Sequence, residues 1–168
     1  MEGIILAGGF GTRLKSILDN CPKPMAPING IPFLEILLKN LSKNGFKRII
    51  LSLYYQADMI TSYFKDSFFG MEIVYAIEPY PLGTGGAIMN SFKKVKEDHV
   101  YVLNGDTFIN LNYSDIEMIW QKNKLNIVVL KEMSDVSRYG LVKVEGKYIK
   151  SFSEKLKSGC GLINAGVY

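Results

Sequence analysis

Histidine is almost missing from this chain: His99 is the only one in 168 residues. A histidine-rich metal site is therefore excluded. An esterase-type triad has one candidate imidazole, and it opens an apolar run among charged residues, where a solvated strand end is its plain reading. Cysteine is nearly as scarce. Cys21 and Cys160 stand far apart with no CxxC partner, which excludes a zinc site built from them and leaves free thiols. Charge of one sign is also lacking. The net charge is only +4 and the Lys and Arg residues are scattered, so the dense basic stripe of a nucleic-acid binder is absent. Long apolar runs are missing too. Met1-Glu2-Gly3-Ile4-Ile5-Leu6-Ala7 is broken by glycines, too short for a signal peptide or a membrane span, and a cytoplasmic protein is expected.

What is present is an alternation of strand and helix. Gly3–Ala7 is a short apolar run entering a glycine-rich turn, as for a strand buried on both faces. Apolar residues at 33, 34, 37, 38 and 41 form a helical stripe that Asn44-Gly45 closes. Lys47–Tyr54 predicts a second buried strand, Met59, Ile60, Tyr63 and Phe64 a helix, and Met71–Ile77 another strand. A helix from about Gly85 to Lys94 leads to a strand at Val100–Asn104. Ser114 is the expected N-cap of a helix through Trp120, and Asn126–Leu130 is a β-branched run. Beyond Arg138 the pieces turn hairpin-like, Gly140–Val144 and Tyr148–Phe152 around Glu145-Gly146-Lys147. The fold class expected is α/β, a Rossmann-like, mostly parallel sheet flanked by helices, in one domain spanning residues 1–168. Ligands in such sheets bind beyond the carboxyl ends of the strands, where the loops at Gly8 and Gly105 fall.

The strongest motif is Leu6-Ala7-Gly8-Gly9-Phe10-Gly11-Thr12-Arg13-Leu14, directly after the first strand. Glycines let backbone N–H groups converge on a phosphate, and the Arg13 guanidinium adds a charge-assisted fork. About ten residues later Pro22-Lys23-Pro24 holds a lysine in a stiffened loop. A dinucleotide-binding GxGxxG fails at Leu14, and a P-loop fails because no Lys follows Gly in frame. The segment resembles the nucleotide-sugar pyrophosphorylase family, whose fingerprint is GGxGTRL followed by a PKP-type lysine. The resemblance implies a nucleotide-diphospho-sugar transferase fold in which Leu6, Ala7, Gly8, Gly9, Gly11 and Thr12 cradle a nucleoside triphosphate. Arg13 and Lys23 would grip its phosphates as catalytic groups.

Glu78-Pro79-Tyr80-Pro81-Leu82-Gly83-Thr84-Gly85-Gly86 resembles that family's base-contacting loop and implies nucleotide contacts from Glu78, Gly83 and Thr84. Pyrimidine-specific members place Gln where this chain has Glu78. A Gln amide matches the mixed donor and acceptor edge of uracil or thymine, whereas an ionised carboxylate accepts the two adjacent donors N1–H and N2–H of guanine, so GTP is favoured. Leu103-Asn104-Gly105-Asp106 follows a buried strand, and the resemblance makes Asp106 both catalytic and a ligand of Mg²⁺, a cation suited to carboxylate and phosphate oxygens. The acceptor pocket implied by the family consists of Asn104, Gly140, Glu154, Lys155 and Asn164, which would hold a sugar 1-phosphate.

Over the whole length the chain is similar to single-domain heptose 1-phosphate guanylyltransferases, which make GDP-heptose for surface polysaccharide. The phrase Pro22-Lys23-Pro24-Met25-Ala26-Pro27-Ile28-Asn29 carries that similarity with the Glu78 loop. Those members place a second metal-binding Asp on a segment past Tyr168. The C-terminal part of the family domain is therefore expected to be missing, and this form to bind nucleotide poorly and turn over slowly. The alternatives are a mannose or glucose 1-phosphate guanylyl- or thymidylyltransferase and a non-catalytic nucleotide-binding module. A Rossmann oxidoreductase is disfavoured by Leu14.

Overall fold

The computed structural model describes residues 1–9, 21–153 and 159–168. Backbone contacts divide the chain into two compact units, Met1–Met118 and Ile119–Tyr168.

The first unit is built on a five-stranded sheet of β1 (Glu2–Leu6), β4 (Arg48–Leu53), β5 (Ser67–Phe68), β6 (Met71–Ile77) and β7 (Tyr101–Asn104), in the order β5-β6-β4-β1-β7. β6, β4, β1 and β7 run parallel, and the short β5 adds antiparallel to the edge. From β1 the chain steps outward to β4 and β6, then returns to pair β7 with the other edge of β1. The strand order thus reverses at β1, the kind of place where a crevice opens at the carboxyl end of a parallel sheet. Burial explains the composition of the strands. Ile4, Ile5, Ile49, Ile50, Leu51 and Leu53 are fully buried because helices cover both faces of a parallel sheet.

The first two helices of this unit follow the expected stripes. α1 (Phe33–Lys43) buries Leu34, Leu37, Leu38 and Leu41, each contributing about 2 kcal/mol of apolar burial. It ends where Gly45 takes φ +85° and donates its N–H to the Ser42 carbonyl, as Asn44-Gly45 predicts. α2 (Ala57–Phe64) buries Ile60 and Phe64, and α3 (Gly83–Phe92) packs on β4 and β1. Phe46, Tyr101 and Tyr113 stack edge to face, with ring centroids 5.1–5.5 Å apart. Burial pushes the Tyr113 hydroxyl up to about 12.

Three details differ from the sequence expectation. α3 starts at Gly83, not Gly85, because the Glu78 carboxylate captures the Leu82 N–H and Gly83 accepts φ +67°. Ser114 lies inside α4 (Tyr113–Asn123); Asn112 is the capping side chain, its Oδ1 accepting the Ser114 N–H at 3.2 Å. A hairpin of β2 (Pro27–Ile28) and β3 (Ile31–Pro32) turns at Asn29-Gly30, both at positive φ, the type I′ geometry that Asn-Gly favours.

The second unit is an antiparallel sheet of β8 (Leu130–Met133), β9 (Leu141–Glu145), β10 (Tyr148–Ser153) and β11 (Gly161–Asn164), in the order β10-β9-β11-β8. The β9–β10 hairpin turns at Gly146, φ +61°, where expected. The run at Asn126–Leu130 becomes a strand only from Leu130. Val129 nonetheless exchanges backbone hydrogen bonds with Val167 and Ala165 at 2.9 and 3.0 Å. No helix among the described residues is long and apolar enough to cross a membrane.

Candidate active site

The carboxyl ends of the four parallel strands converge on one cavity of about 410 Å³ in the first unit. β1 delivers Leu6, Gly8 and Gly9, β4 delivers Ser52, β6 leads into Glu78, and β7 ends in Asn104 and Asp106. Pro81, Gly83, Thr84 and Ala87 of the loop and first turn of α3 complete the wall. The α3 N-terminus carries no acidic residue in its first turn and borders the cavity through Gly83 and Thr84, with the Glu78 carboxylate on the preceding Leu82 N–H.

Two glycines permit this close approach of backbones. A Cβ on Gly105 would sit 2.6 Å from the Leu6 carbonyl oxygen, and the Gly105 N–H bonds that same oxygen at 2.9 Å. A Cβ on Gly8 would lie 2.9 Å from Glu78 Oε1 and 3.1 Å from the Tyr54 nitrogen. Gly8 therefore makes room for Glu78 as well as for a ligand. Ala7, also expected to contact the nucleotide, is buried, with its N–H bonded to the Ser52 carbonyl at 2.9 Å.

Lys23 opens a single 3₁₀ turn, Lys23–Met25, braced by buried Pro24 and Met25 and by the Ala26 N–H on the Lys23 carbonyl. The Phe33 N–H bonds the Ala26 carbonyl and ties this turn to the start of α1. The brace sends the Lys23 ammonium to Asp106, Nζ to Oδ2 at 2.6 Å, although 83 residues separate them in sequence. Thr107 Oγ1 donates to the other carboxylate oxygen at 3.3 Å. Two of the three charged groups expected to converge thus meet at the cavity. Arg13 lies outside the described residues, as do Gly11, Thr12, Glu154 and Lys155.

Glu78 is the buried acid of the cavity, 7% exposed. Ser52 Oγ donates to its Oε1 at 3.3 Å and the Leu82 N–H to its Oε2 at 2.9 Å. Ser52, Pro81 and Ala87 were not singled out from sequence. The only signal for Ser52 is a hydroxyl inside the apolar run Arg48-Ile49-Ile50-Leu51-Ser52-Leu53, and it is fully buried.

Among the described residues no three His, Cys, Asp or Glu side chains cluster to cage a metal. The exposed carboxylate of Asp106, with the Asn104 amide lining the same cavity, suits a cation that takes one or two carboxylates and completes its shell with phosphate oxygens and water, as Mg²⁺ does.

Gly140 and Asn164 come together in the second unit, where they line a cavity of about 260 Å³ with Tyr139, Leu141, Phe152, Ser153 and Ile163. The Asn164 amide is oriented at both ends: it donates to the Tyr168 hydroxyl at 2.7 Å and accepts the Gly166 N–H at 2.9 Å. Asn104, also expected to contact the sugar phosphate, lines the first cavity.

His99 has no place in either cavity. It precedes β7 and is held between Asp98 at 2.6 Å and Glu117 at 3.0 Å, so it is a paired group rather than a solvated strand end. Burial alone would lower its pKa, but the two carboxylates outweigh that and raise it.

The chain belongs to the nucleotidyl transferase family, which matches residues 2–168, and is a nucleotidyltransferase. Its relatives narrow the comparison. It is 50% identical to the D-glycero-α-D-manno-heptose 1-phosphate guanylyltransferase of Campylobacter jejuni, over all of this chain and 75% of that protein. The enzyme of the same name from Aneurinibacillus thermoaerophilus is 41% identical over all of this chain and 74% of its own length. The crystal structure of HddC from Yersinia pseudotuberculosis complexed with GMP-PN superposes with a TM-score of 0.84 at 40% identity. It covers 99% of this chain and 74% of that one.

Proposed function

We propose that this enzyme transfers GMP from GTP to D-glycero-α-D-manno-heptose 1-phosphate, with Mg²⁺, giving GDP-heptose and pyrophosphate. The observation that carries the reading is the meeting of Lys23 and Asp106 at the mouth of a cavity whose buried wall is an acid, Glu78. The names of the relatives at 50% and 41% identity support the guanylyl group and the heptose.

The chemistry asks for little beyond charge and position. An oxygen of the sugar phosphate attacks the α-phosphorus of GTP, a new P–O bond forms, and the bond to the bridging oxygen breaks as pyrophosphate leaves. A phosphate monoester with a second pKa near 6 is mostly a dianion at pH 7, so the nucleophile needs no general base. The barrier is repulsion between the dianion and the triphosphate, together with charge growing on the leaving group. Lys23, and Arg13 by resemblance, offset that charge. The glycine turn and the α3 N-terminus orient the phosphates, and by resemblance Gly140 and Asn164 contact the sugar. Mg²⁺ at Asp106 would supply further neutralisation of phosphate charge.

A panel of GTP, ATP, UTP and dTTP against heptose, mannose and glucose 1-phosphates, read by pyrophosphate release with and without chelator, tests the reading. GTP with the heptose phosphate is expected to give the highest kcat/KM, and chelator to abolish release. Equal turnover of UTP or dTTP would overturn the guanylyl assignment, and release unaffected by chelator the metal.

A further inference from the structure

We infer that Ser52 is a positioning residue for base selection: with the Leu82 peptide it clamps Glu78 so that the hydrogen-bonding edge facing the cavity has a fixed sense. The inference rests on the proposed contact between Glu78 and the base. Glu78 is almost wholly buried yet lines the cavity, so its orientation is decided by protein partners rather than by water.

Those partners are one per oxygen. Ser52, fully buried on β4, donates to Oε1 at 3.3 Å, and Leu82 donates its N–H to Oε2 at 2.9 Å. Anchoring both oxygens stops the carboxylate plane from turning about its last torsion. A carboxylate offers about four lone-pair sites. With one on each oxygen taken by the protein, each oxygen keeps a site for the ligand, matching two adjacent donors such as guanine N1–H and N2–H.

The two anchors are chemically unlike. The Leu82 N–H can only donate, whereas the Ser52 hydroxyl can donate or accept. A glutamine at 78 must therefore turn its carbonyl oxygen to Leu82 and its NH₂ to Ser52. The edge it presents then carries one acceptor and one donor, the complement of uracil or thymine. The clamp thus sets the polarity of whatever side chain occupies position 78.

Equilibrium binding of GTP and UTP, with Mg²⁺ present, to the parent chain and to S52A, E78A, the S52A/E78A double variant and E78Q tests this. E78A is expected to lose the preference for GTP. S52A should lower the GTP-to-UTP affinity ratio about tenfold, as for the loss of one hydrogen bond to a charged group, and should have no further effect in the E78A background. E78Q should prefer UTP. If E78A leaves the preference intact, the base contact itself is wrong. If E78A abolishes it while S52A weakens both nucleotides equally, or acts additively with E78A, Ser52 is structural and the inference falls. An E78Q chain that still prefers GTP overturns the polarity argument. Thermal melts of each variant identify folding failure. Should S52A not fold, S52C, similar in size but a weaker donor, takes its place with a smaller loss of preference expected and the same refuting outcomes.

Discussion

Replacing Lys23 by Ala separates what the Lys23–Asp106 pair does for the fold from what it does for the reaction. The two side chains meet at 2.6 Å but remain 39% and 43% exposed. Water screens a pair in that setting, and its loss should cost at most about 1 kcal/mol of stability. For a chain of 168 residues that is a fall in Tm of about 2–4 °C. In the proposed reaction, by contrast, the transferring phosphates would meet the ammonium in a site they themselves dry out. Losing one cation matched to transition-state charge costs about 3 kcal/mol, roughly 100-fold in kcat/KM. Asp106→Asn removes the carboxylate while keeping its shape, and a comparable loss of rate with little change in Tm is expected. Differential scanning fluorimetry and continuous pyrophosphate-release kinetics on the parent and both variants supply the two numbers. A Lys23→Ala chain that loses its fold, or one that keeps its full rate, would refute the argument. The first outcome makes the lysine a structural brace and the second removes it from the chemistry.

Three further outcomes follow from groups outside the cavity or on its backbone. Glu2 is 2% exposed and accepts the Lys96 and Glu97 N–H groups at 3.0 and 3.1 Å as well as the Arg48 guanidinium. Glu2→Gln should cost about 3 kcal/mol in urea unfolding, because a Gln whose carbonyl keeps the two amides must turn its NH₂ donor toward the Arg48 guanidinium, which loses a buried counter-charge. Burial would raise the Glu2 pKa, but the two N–H groups and Arg48 hold it below its ordinary value. The stabilisation is therefore present above the ordinary carboxylate range and lost as pH falls through the depressed value. Gly105→Ala forces a methyl to within 2.6 Å of the Leu6 carbonyl and should cost about 2 kcal/mol in the same assay while weakening nucleotide binding. For His99, whose pKa is raised, the sign is opposite to that of Glu2. Its contribution is full below its ordinary pKa and fades as pH rises through the raised value, so His99→Gln should be less stable than the parent at pH 5.5 and nearly equal at pH 9, measured by denaturant titration.

The parallel sheet was legible because its strands are mostly apolar and bounded by glycine, and α1 because its four leucines keep a helical stripe. The site was legible where chemistry interrupts such patterns: the glycine turn after β1, the proline-flanked Lys23 and the aspartate after β7. Ser52 escaped because a single hydroxyl in an apolar strand says nothing of which face it occupies, and only the neighbouring β6 supplies the acid it meets. Asn29-Gly30 carries an unambiguous hairpin signal that a search for helix and strand periods passed over, since strands of two residues have no period. Asn112 outcompeted Ser114 as a cap because the longer side chain reaches back to an N–H two residues on. Phe152 and Tyr139 reach the second cavity only through antiparallel pairing, which local sequence does not encode.

The cavity of the first unit is assembled from positions 8, 52, 78 and 106, at the carboxyl ends of β1, β4, β6 and β7, four parallel strands that no hairpin joins. No stretch of the polypeptide holds even half of it. A nucleotide therefore grips only the completed sheet, and its binding energy adds wholly to the cooperative unfolding free energy of that unit. At a hundred times its dissociation constant this amounts to about 2.7 kcal/mol. Ligand-induced thermal shift thus reports assembly and occupancy together, and peptides cut from this chain should show none of it.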